Sequence, residues 1–286
     1  MSSDQKWHLL NSRLQRLQCV EVSDRLRTEG IECVVLKGPA IERFYPAEKT
    51  RPSIDLDIAV QPGDFSRALE LRSDGALGNY NIDVHKGFRH FDTRGWEPGF
   101  ERSSMIDLEE GRIRVLAGED QLRLTCIHWL TDGGERKERL WDIHYIVCGC
   151  RPDFDWDYFL NSNGQVRREW MIAMIGLAHK YTGLPLEDLP FRAEDLELPK
   201  WLVSTLERRW RDPVAFAPLD TSVGSPVRFL QQVRRRFPPN AVMATVGLEG
   251  RFDEGTRFGY QVRYFLKQMM PSVSRVLRAF SSRFRK

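Results

Sequence analysis

The sequence predicts an α+β protein, in which a small mixed-sheet α/β core precedes an all-helical region. Short stretches between positions 31 and 116 alternate apolar and polar residues with the period of two that is typical of strands. From Glu119 onward the apolar period becomes helical and Trp becomes common. The end of the chain is rich in basic residues. These observations predict a core with an N-terminal helix at 1–118, a helical domain at 119–220 and a basic helical extension at 221–286.

The chain is expected to begin with a long helix and then to enter the sheet. Residues Trp7–Thr28 carry an apolar stripe at helical spacing. A strand at Ile31–Leu36 follows, after which Lys37-Gly38 forms a tight turn and Pro39 can open a short helix. Free backbone amides at the start of that helix could face an anion. The sequence therefore predicts a phosphate-binding turn at the end of the first strand.

Two carboxylates stand in the next strand. Across Ile54–Val60 apolar residues alternate with Asp55 and Asp57, so one face is expected to be buried and both carboxylates to project from the other. Side chains two residues apart on a strand are separated by roughly 6.5–7 Å at their roots, which lets both bind one divalent cation or a pair. Hard oxygen ligands of this kind suit Mg²⁺ in phosphoryl transfer. For the motif alone, a solubilising role stays open, although Asp is depleted in strands.

A crossover helix, a third strand and a hairpin complete the predicted core. The strand Tyr80–His85 places Asp83 and His85 on one face. Two further strand-like segments, Ser103–Leu108 and Arg112–Leu116, are separated by Glu-Glu-Gly, which predicts a hairpin turn.

The order of these motifs is similar to that of a known enzyme family. The chain carries in sequence a Leu-Lys-Gly turn, the end of a short helix, an Arg and an Asp-x-Asp strand, at Leu36-Lys37-Gly38, Phe44-Tyr45-Pro46, Arg51 and Asp55-Leu56-Asp57. This arrangement resembles the uncharacterised nucleotidyltransferase family of the polymerase-beta-like superfamily, over about residues 5–185. Many members of the superfamily have Gly-Ser where this chain has Lys-Gly, which we interpret as a subfamily trait.

The resemblance implies a metal-dependent transferase. In the superfamily two carboxylates bind the metals and a third, on a neighbouring strand, helps to activate the acceptor hydroxyl. This assigns catalysis and metal binding to Asp55, Asp57 and Asp83. Mg²⁺ or Mn²⁺ is the implied cofactor, and a nucleoside triphosphate such as ATP is the implied co-substrate. The hydroxyl would attack the α-phosphate in line and release pyrophosphate, in a reaction that depends mostly on positioning and electrostatics.

Four further residues are expected to hold the nucleotide. Lys37 and the Gly38 amide would contact the triphosphate. Arg51 would add positive charge beside it, or would be a solvated turn residue before a proline. His85 would orient Asp83 or touch a phosphate, or would have no chemical role at the edge of its strand.

Charge and the family resemblance suggest different partners. Members of the resembled family often sit beside natural-product or polysaccharide genes, which favours a small-molecule or peptide acceptor. Residues 221–286, however, carry 13 Lys+Arg against 3 Asp+Glu, which leaves a net charge of −7 for the rest of the chain. RNA, as a tRNA-like acceptor, or another anionic surface is therefore a second hypothesis. A third is a non-catalytic accessory binding protein.

The basic end of the chain also contains an amphipathic stretch. Val273, Leu277 and Phe280 lie on one predicted helical face, which either binds such a partner or packs on the body of the protein.

Composition indicates an ordinary globular protein. The chain has 286 residues, of which 41% are hydrophobic and 29% charged. It has no apolar run of membrane-spanning length and no signal-peptide start, so the cytoplasm is the expected compartment. The sequence contains no P-loop and no Gly-x-Ser-x-Gly elbow, which leaves P-loop ATPase and hydrolase functions without support.

Overall fold

The structure is a computed structural model that describes residues 3–51, 53, 55–88, 95–149, 154–162, 164–212, 214, 225–253 and 255–267. The chain divides into two compact units. Unit 1 comprises Met1–Thr125 with Trp141–Asn163, and unit 2 comprises Cys126–Leu140 with Gly164–Lys286. The boundaries 1–118, 119–220 and 221–286 stay a prediction.

A five-stranded mixed sheet forms the centre of unit 1. The elements from the N-terminus to the end of the sheet are α1 (Ser3–Thr28), β1 (Cys33–Val35), α2 (Pro39–Glu42), β2 (Leu56–Val60), α3 (Phe65–Ser73), β3 (Ile82–Lys86), α4 (Trp96–Glu101), β4 (Ser104–Leu108) and β5 (Gly111–Val115). The strand order is β3-β2-β1-β5-β4. Strands β2 and β3 are parallel, as are β1 and β5, whereas β1–β2 and β4–β5 are antiparallel. The sheet confirms the predicted fold class and the predicted hairpin.

Helices follow the sheet. They are α5 (Gly118–Thr131), α6 (Leu140–Gly149), α7 (Trp156–Asn161), α8 (Gly164–Thr182), α9 (Lys200–Arg211), α10 (Pro226–Arg236) and α11 (Ala241–Val246), with short 3-10 turns at Lys137–Arg139 and Ala193–Leu196. Residues 258–267 form a further helix, α12. The amphipathic stretch expected around Val273 lies outside the described residues. Within the described part of the chain, no helix has the length and apolar character needed to span a membrane.

Strand β2 is buried on both faces, so the expectation of one exposed face is wrong. All five of its residues are buried. Leu56, Ile58 and Val60 belong to the main core cluster, which also receives residues of α1 and β3. Ala59, on the opposite face, packs in a second cluster that includes Phe88. Because helices and loops cover the second face as well, a carboxylate on that face is withdrawn from water.

The strand also begins later than the sequence predicts. Its first residue is Leu56, whose amide donates to the Asn81 carbonyl at 2.9 Å. Asp55 lies in a bend just before the strand and is exposed. Asp is poorly suited to strand positions, which agrees with a ladder that starts after it. Ile54, the predicted first residue, is outside the described residues.

The N-terminal helix forms as expected, but it buries a different face from the predicted apolar stripe. Leu10, Leu14 and Leu17 are 59%, 49% and 46% exposed. The buried residues recur at helical spacing on another face and include Ser12, Gln15, Cys19, Val22 and Leu26. The apolar period is therefore sufficient to predict the helix. It does not predict which face the helix buries.

Candidate active site

Asp57 lies at the centre of the candidate site, on β2, with only 2% of its surface exposed. Its Oδ1 atom accepts a hydrogen bond from Lys37 Nζ at 2.7 Å and lies 3.2 Å from His85 Nε2. The other oxygen, Oδ2, is buried and has no hydrogen-bond partner among the described residues. A buried carboxylate oxygen is costly unless it is satisfied. Oδ2 is therefore a position at which a bound ligand would be stabilising.

The parallel pairing of β2 with β3 brings Asp83 and His85 to Asp57. Asp57 is directly opposite Asp83, and Ala59 is opposite His85. His85 Nε2 lies 3.5 Å from Asp83 Oδ2, so the imidazole contacts both carboxylates. The Asp83 side chain is 59% exposed, whereas that of His85 is 8% exposed. The site is thus accessible to solvent from the side of Asp83.

The surrounding groups keep Asp57 ionised. Burial alone would raise the pKa of this carboxyl, but the hydrogen bond with His85 and the positive charge of Lys37 lower its pKa to about 2. Asp57 therefore carries a full negative charge at neutral pH.

These side chains can hold a divalent cation. Asp57, Asp83 and His85 each offer one ligand atom, and the three atoms lie within 4.8 Å of one another. Carboxylate oxygens are the ligands that Mg²⁺ and Mn²⁺ prefer. The unpartnered Oδ2 of Asp57 supplies such a ligand without breaking an existing hydrogen bond. The residues present therefore fit the cation that the resemblance implies.

Asp55 does not join this group. It is exposed in the bend before β2, where its carbonyl accepts a hydrogen bond from Ser53 Oγ at 3.3 Å. The group of ligand atoms found among the described residues contains Asp57 and Asp83 but not Asp55. The structure thus brings together two of the three predicted carboxylates.

The Lys37-Gly38 turn connects β1 to the short helix α2. Gly38 has φ 58° and ψ −121°, a conformation that glycine adopts far more readily than other residues. The amides of residues 40–42 donate to the carbonyls of Lys37 and Gly38. They are engaged within the turn, which removes them from the predicted anion pocket. Lys37, beside Asp57 and with 18% of its side chain exposed, is the group of this turn best placed for a phosphate.

Arg51 is buried in an ion pair. Its Nε and Nη2 atoms each donate to a carboxylate oxygen of Asp142 at 2.9 Å, and the Tyr45 hydroxyl donates to the same carboxylate. The two charged side chains are 4% and 3% exposed. Burial alone would lower the pKa of Arg51, but Asp142 raises it, with a smaller contribution from Asp57. The alternative in which Arg51 is a solvated turn residue is therefore wrong, because a distant carboxylate holds it in the interior.

Sequence reasoning missed Asp142 as the partner of Arg51. It lies on α6, 91 positions beyond Arg51. One local feature of the sequence indicates that Asp142 needs a buried partner: it is the only acidic residue in the mostly apolar helix Leu140–Gly149. Next to it, Lys49 Nζ lies 5.1 Å from the ring centroid of Trp141. These contacts attach α6 to the segment that leads into β2.

A family comparison gives the class of protein. Residues 1–108, somewhat more than a third of the chain, match the model of the family described as "Uncharacterised nucleotidyltransferase". The match supports a nucleotidyltransferase, that is, a transferase of phosphorus-containing groups. The matched range contains β1 to β4 and all the predicted site residues. Comparison with curated proteins and with solved structures gives no match.

Proposed function

We propose that the protein transfers a nucleotidyl group from a nucleoside triphosphate to a hydroxyl of a small-molecule or peptide acceptor, in a Mg²⁺-dependent reaction in the cytoplasm. The observation that carries this proposal is the buried, unpartnered Oδ2 of Asp57 beside Asp83 and His85. A bound cation would satisfy that oxygen. Nucleotidyl transfer, the activity of the family, is chemistry in which such a cation is useful.

Asp57 and Asp83 would hold the cation. Mg²⁺ bound there would neutralise the negative charge that develops on the phosphates during transfer. Asp55, two positions before Asp57 and exposed, is proposed as a further ligand. Its exposure leaves its carboxylate able to turn towards an incoming substrate.

Lys37 and Gly38 would hold the triphosphate. The Lys37 ammonium lies 2.7 Å from Asp57 Oδ1, so a phosphate beside the carboxylates is also within its reach. A Cβ atom at Gly38 would meet only Gln15 Oε1, at 3.8 Å. The turn therefore has room for a phosphate to approach the backbone, as in other phosphate-binding glycine turns.

Asp83 would accept the proton of the attacking hydroxyl, because it is the most exposed member of the cluster and can meet an acceptor from solvent. His85, between the two carboxylates, would orient Asp83. Arg51 would act without touching the phosphate. Its guanidinium stays bound to Asp142 and adds positive charge within electrostatic range of Asp57.

Two alternatives differ in their partner. In the first, the acceptor is RNA held by the basic residues 221–286, and binding would weaken steeply with salt. In the second, the protein is an accessory factor that binds a nucleotide or a biosynthetic peptide without transfer. A natural-product or polysaccharide pathway follows from the resemblance alone.

Isothermal titration with ATP, GTP, CTP and UTP, each with and without Mg²⁺, tests the proposal. We expect one or more triphosphates to bind only with the metal, and Asp57→Asn to abolish that binding. Asp107→Asn, a change of the same type in the β4–β5 hairpin at a side chain that is 84% exposed, is the matched control. Metal-independent binding that survives Asp57→Asn would refute the assigned site. If triphosphates bind in a metal-dependent way but no pyrophosphate is released when acceptors of each proposed class are added, the accessory role is favoured.

A further inference from the structure

Helix α10 of unit 2 is oriented with its apolar face outward. Val227, Leu230 and Val233 on the helix, and Phe237 directly after it, are 66%, 66%, 40% and 64% exposed. Their spacing of three or four residues places them on one face. The side chains that the helix buries are polar instead, Gln232 and Arg235.

Ion pairs hold the inner face of α10 and so fix this orientation. Arg235, with 5% of its side chain exposed, pairs with Glu135 and with Asp212 Oδ2, the latter at 3.1 Å. Arg209 also donates to the Arg235 carbonyl at 2.8 Å. Rotating the helix to bury its apolar side would separate the Arg235 guanidinium from Glu135 and Asp212, and breaking buried ion pairs is costly. The outward apolar face is therefore a stable feature of unit 2.

Helix α12 extends the same surface. Its exposed apolar side chains follow helical spacing and are Phe258, Val262, Phe265 and Leu266, at 70%, 42%, 38% and 58% exposure. The rings of Phe237 and Phe265 meet edge to face, with centroids 5.5 Å apart. We call these eight side chains of α10, α12 and Phe237 the outer apolar face. A contiguous apolar surface of this kind on a folded unit is typical of a binding surface.

The charged residues on α10 and α12 all have one sign. The sequence has no Asp or Glu between Ser225 and Leu248, and none after Gly255. Arg228, Arg234, Arg263 and Lys267 are exposed on α10 and α12. Aliphatic and aromatic side chains combined with basic ones and no acidic ones are the composition of helices that lie in the interface of an anionic membrane.

We propose that the outer apolar face docks the protein on an anionic lipid surface. Nucleic acid fits less well, because its phosphates and bases gain little from contact with exposed valine and leucine side chains. The chain segment 268–286 and a second copy fit less well too. The segment carries five basic and no acidic residues, and a copy would present the same positive surface, so both meet charge repulsion.

Vesicle co-sedimentation of the full-length protein tests this proposal. We expect binding to vesicles that contain phosphatidylglycerol, weak binding to pure phosphatidylcholine and a loss of binding at high salt. Leu230→Asp should weaken binding to the anionic vesicles at least tenfold, and Arg234→Glu by a similar factor. Leu14→Asp is the matched control, since Leu14 is also exposed on a helix but lies in unit 1, and it should change nothing.

Four results would overturn the proposal. The first is no binding to anionic vesicles, and the second is an equal loss in Leu230→Asp and Leu14→Asp. The third is vesicle binding that ignores Leu230→Asp and disappears when residues 268–286 are deleted, which would assign docking to that segment. The fourth is a dimer in sedimentation velocity that Leu230→Asp dissociates.

Nucleic acid would be the partner instead if the protein binds RNA tightly, if Leu230→Asp leaves that binding unchanged, and if no vesicles are bound. Asp83→Asn, a change at an exposed side chain of the proposed site, should still bind vesicles, so this test is independent of the transferase site.

Discussion

Removing one charge from the Arg51–Asp142 pair should destabilise the protein strongly. In Asp142→Asn the side chain keeps its shape, but the Arg51 guanidinium stays buried without a counter-charge. Two hydrogen bonds of 2.9 Å are altered at a place where both side chains are at most 4% exposed. Breaking a buried pair from one side costs about 3–5 kcal/mol. We expect the lower end, about 3 kcal/mol, because the amide oxygen can still accept one of these hydrogen bonds.

Urea unfolding followed by circular dichroism measures this loss, with an exposed pair as control. Arg112 and Asp107 also pair, at 3.0 Å, but their side chains are 63% and 84% exposed. Asp107→Asn should therefore cost less than about 1 kcal/mol, as exposed ion pairs do. Equal small losses in the two variants would refute the reasoning and would mean that Arg51 is not held in the interior.

A double variant separates a structural role for Arg51 from nucleotide binding. Arg51→Met/Asp142→Leu removes both charges and should regain much of the stability lost in Asp142→Asn, because apolar residues of similar size often replace a buried pair without cost. If Arg51 acts on the triphosphate only through its charge at a distance, the folded double variant should bind the triphosphate only a few-fold more weakly than the wild type. A loss of a hundredfold or more would instead place Arg51 in direct contact with the triphosphate.

Three further changes test the turn and the central carboxylate. Gly38→Ala should lower the free energy of unfolding in urea by about 1–3 kcal/mol, because φ of 58° with ψ of −121° strains any residue other than glycine. Gly63→Ala is the control and should have little effect, because Gly63 has no positive φ and has open space around it. Lys37→Ala should weaken ATP binding roughly tenfold in calorimetry while leaving adenosine unaffected, since the ammonium would meet only phosphate; equal losses for both would contradict that role. In metal-free protein Asp57 should contribute stability that is complete above its unfolded pKa of 3.8 and is lost as the pH falls towards about 2, an effect of about 2 kcal/mol. The stability difference between wild type and Asp57→Asn should therefore shrink on acidification across that window, and a constant difference would exclude the lowered pKa.

The local pattern predicts the strands that carry Asp57 and Asp83, and the family resemblance predicts that these strands are neighbours. A crossover helix between two alternating stretches favours parallel strands, and the observed register pairs Asp57 with Asp83. Lys37 follows in the same way, since the strand before the turn pairs with β2. These arguments need only the chain between positions 33 and 86.

Long-range contacts explain what the sequence could not predict. Arg51 and Asp142 are far apart in the chain, and no periodicity links a turn residue to a helix so distant. The burial of both faces of β2 depends on Phe88 and its neighbours, whose packing does not follow from the strand's own alternation. For α1 the predicted stripe is the wrong face, because the helix buries the side that carries Ser12, Gln15 and Cys19 and leaves Leu10, Leu14 and Leu17 exposed.

The contacts of Asp57 affect the choice of an inactive variant for work in cells. Through Lys37 and His85 this one carboxylate ties together side chains from three parts of the sheet. A protein without it can fail because it misfolds and is degraded, which looks the same as a loss of chemistry. Asp83 belongs to the same proposed site, but 59% of its side chain is exposed, so replacing it should affect the stability of the fold much less. Asp83→Asn is therefore the better inactive allele, because its product should accumulate to normal levels and any phenotype can be attributed to the reaction.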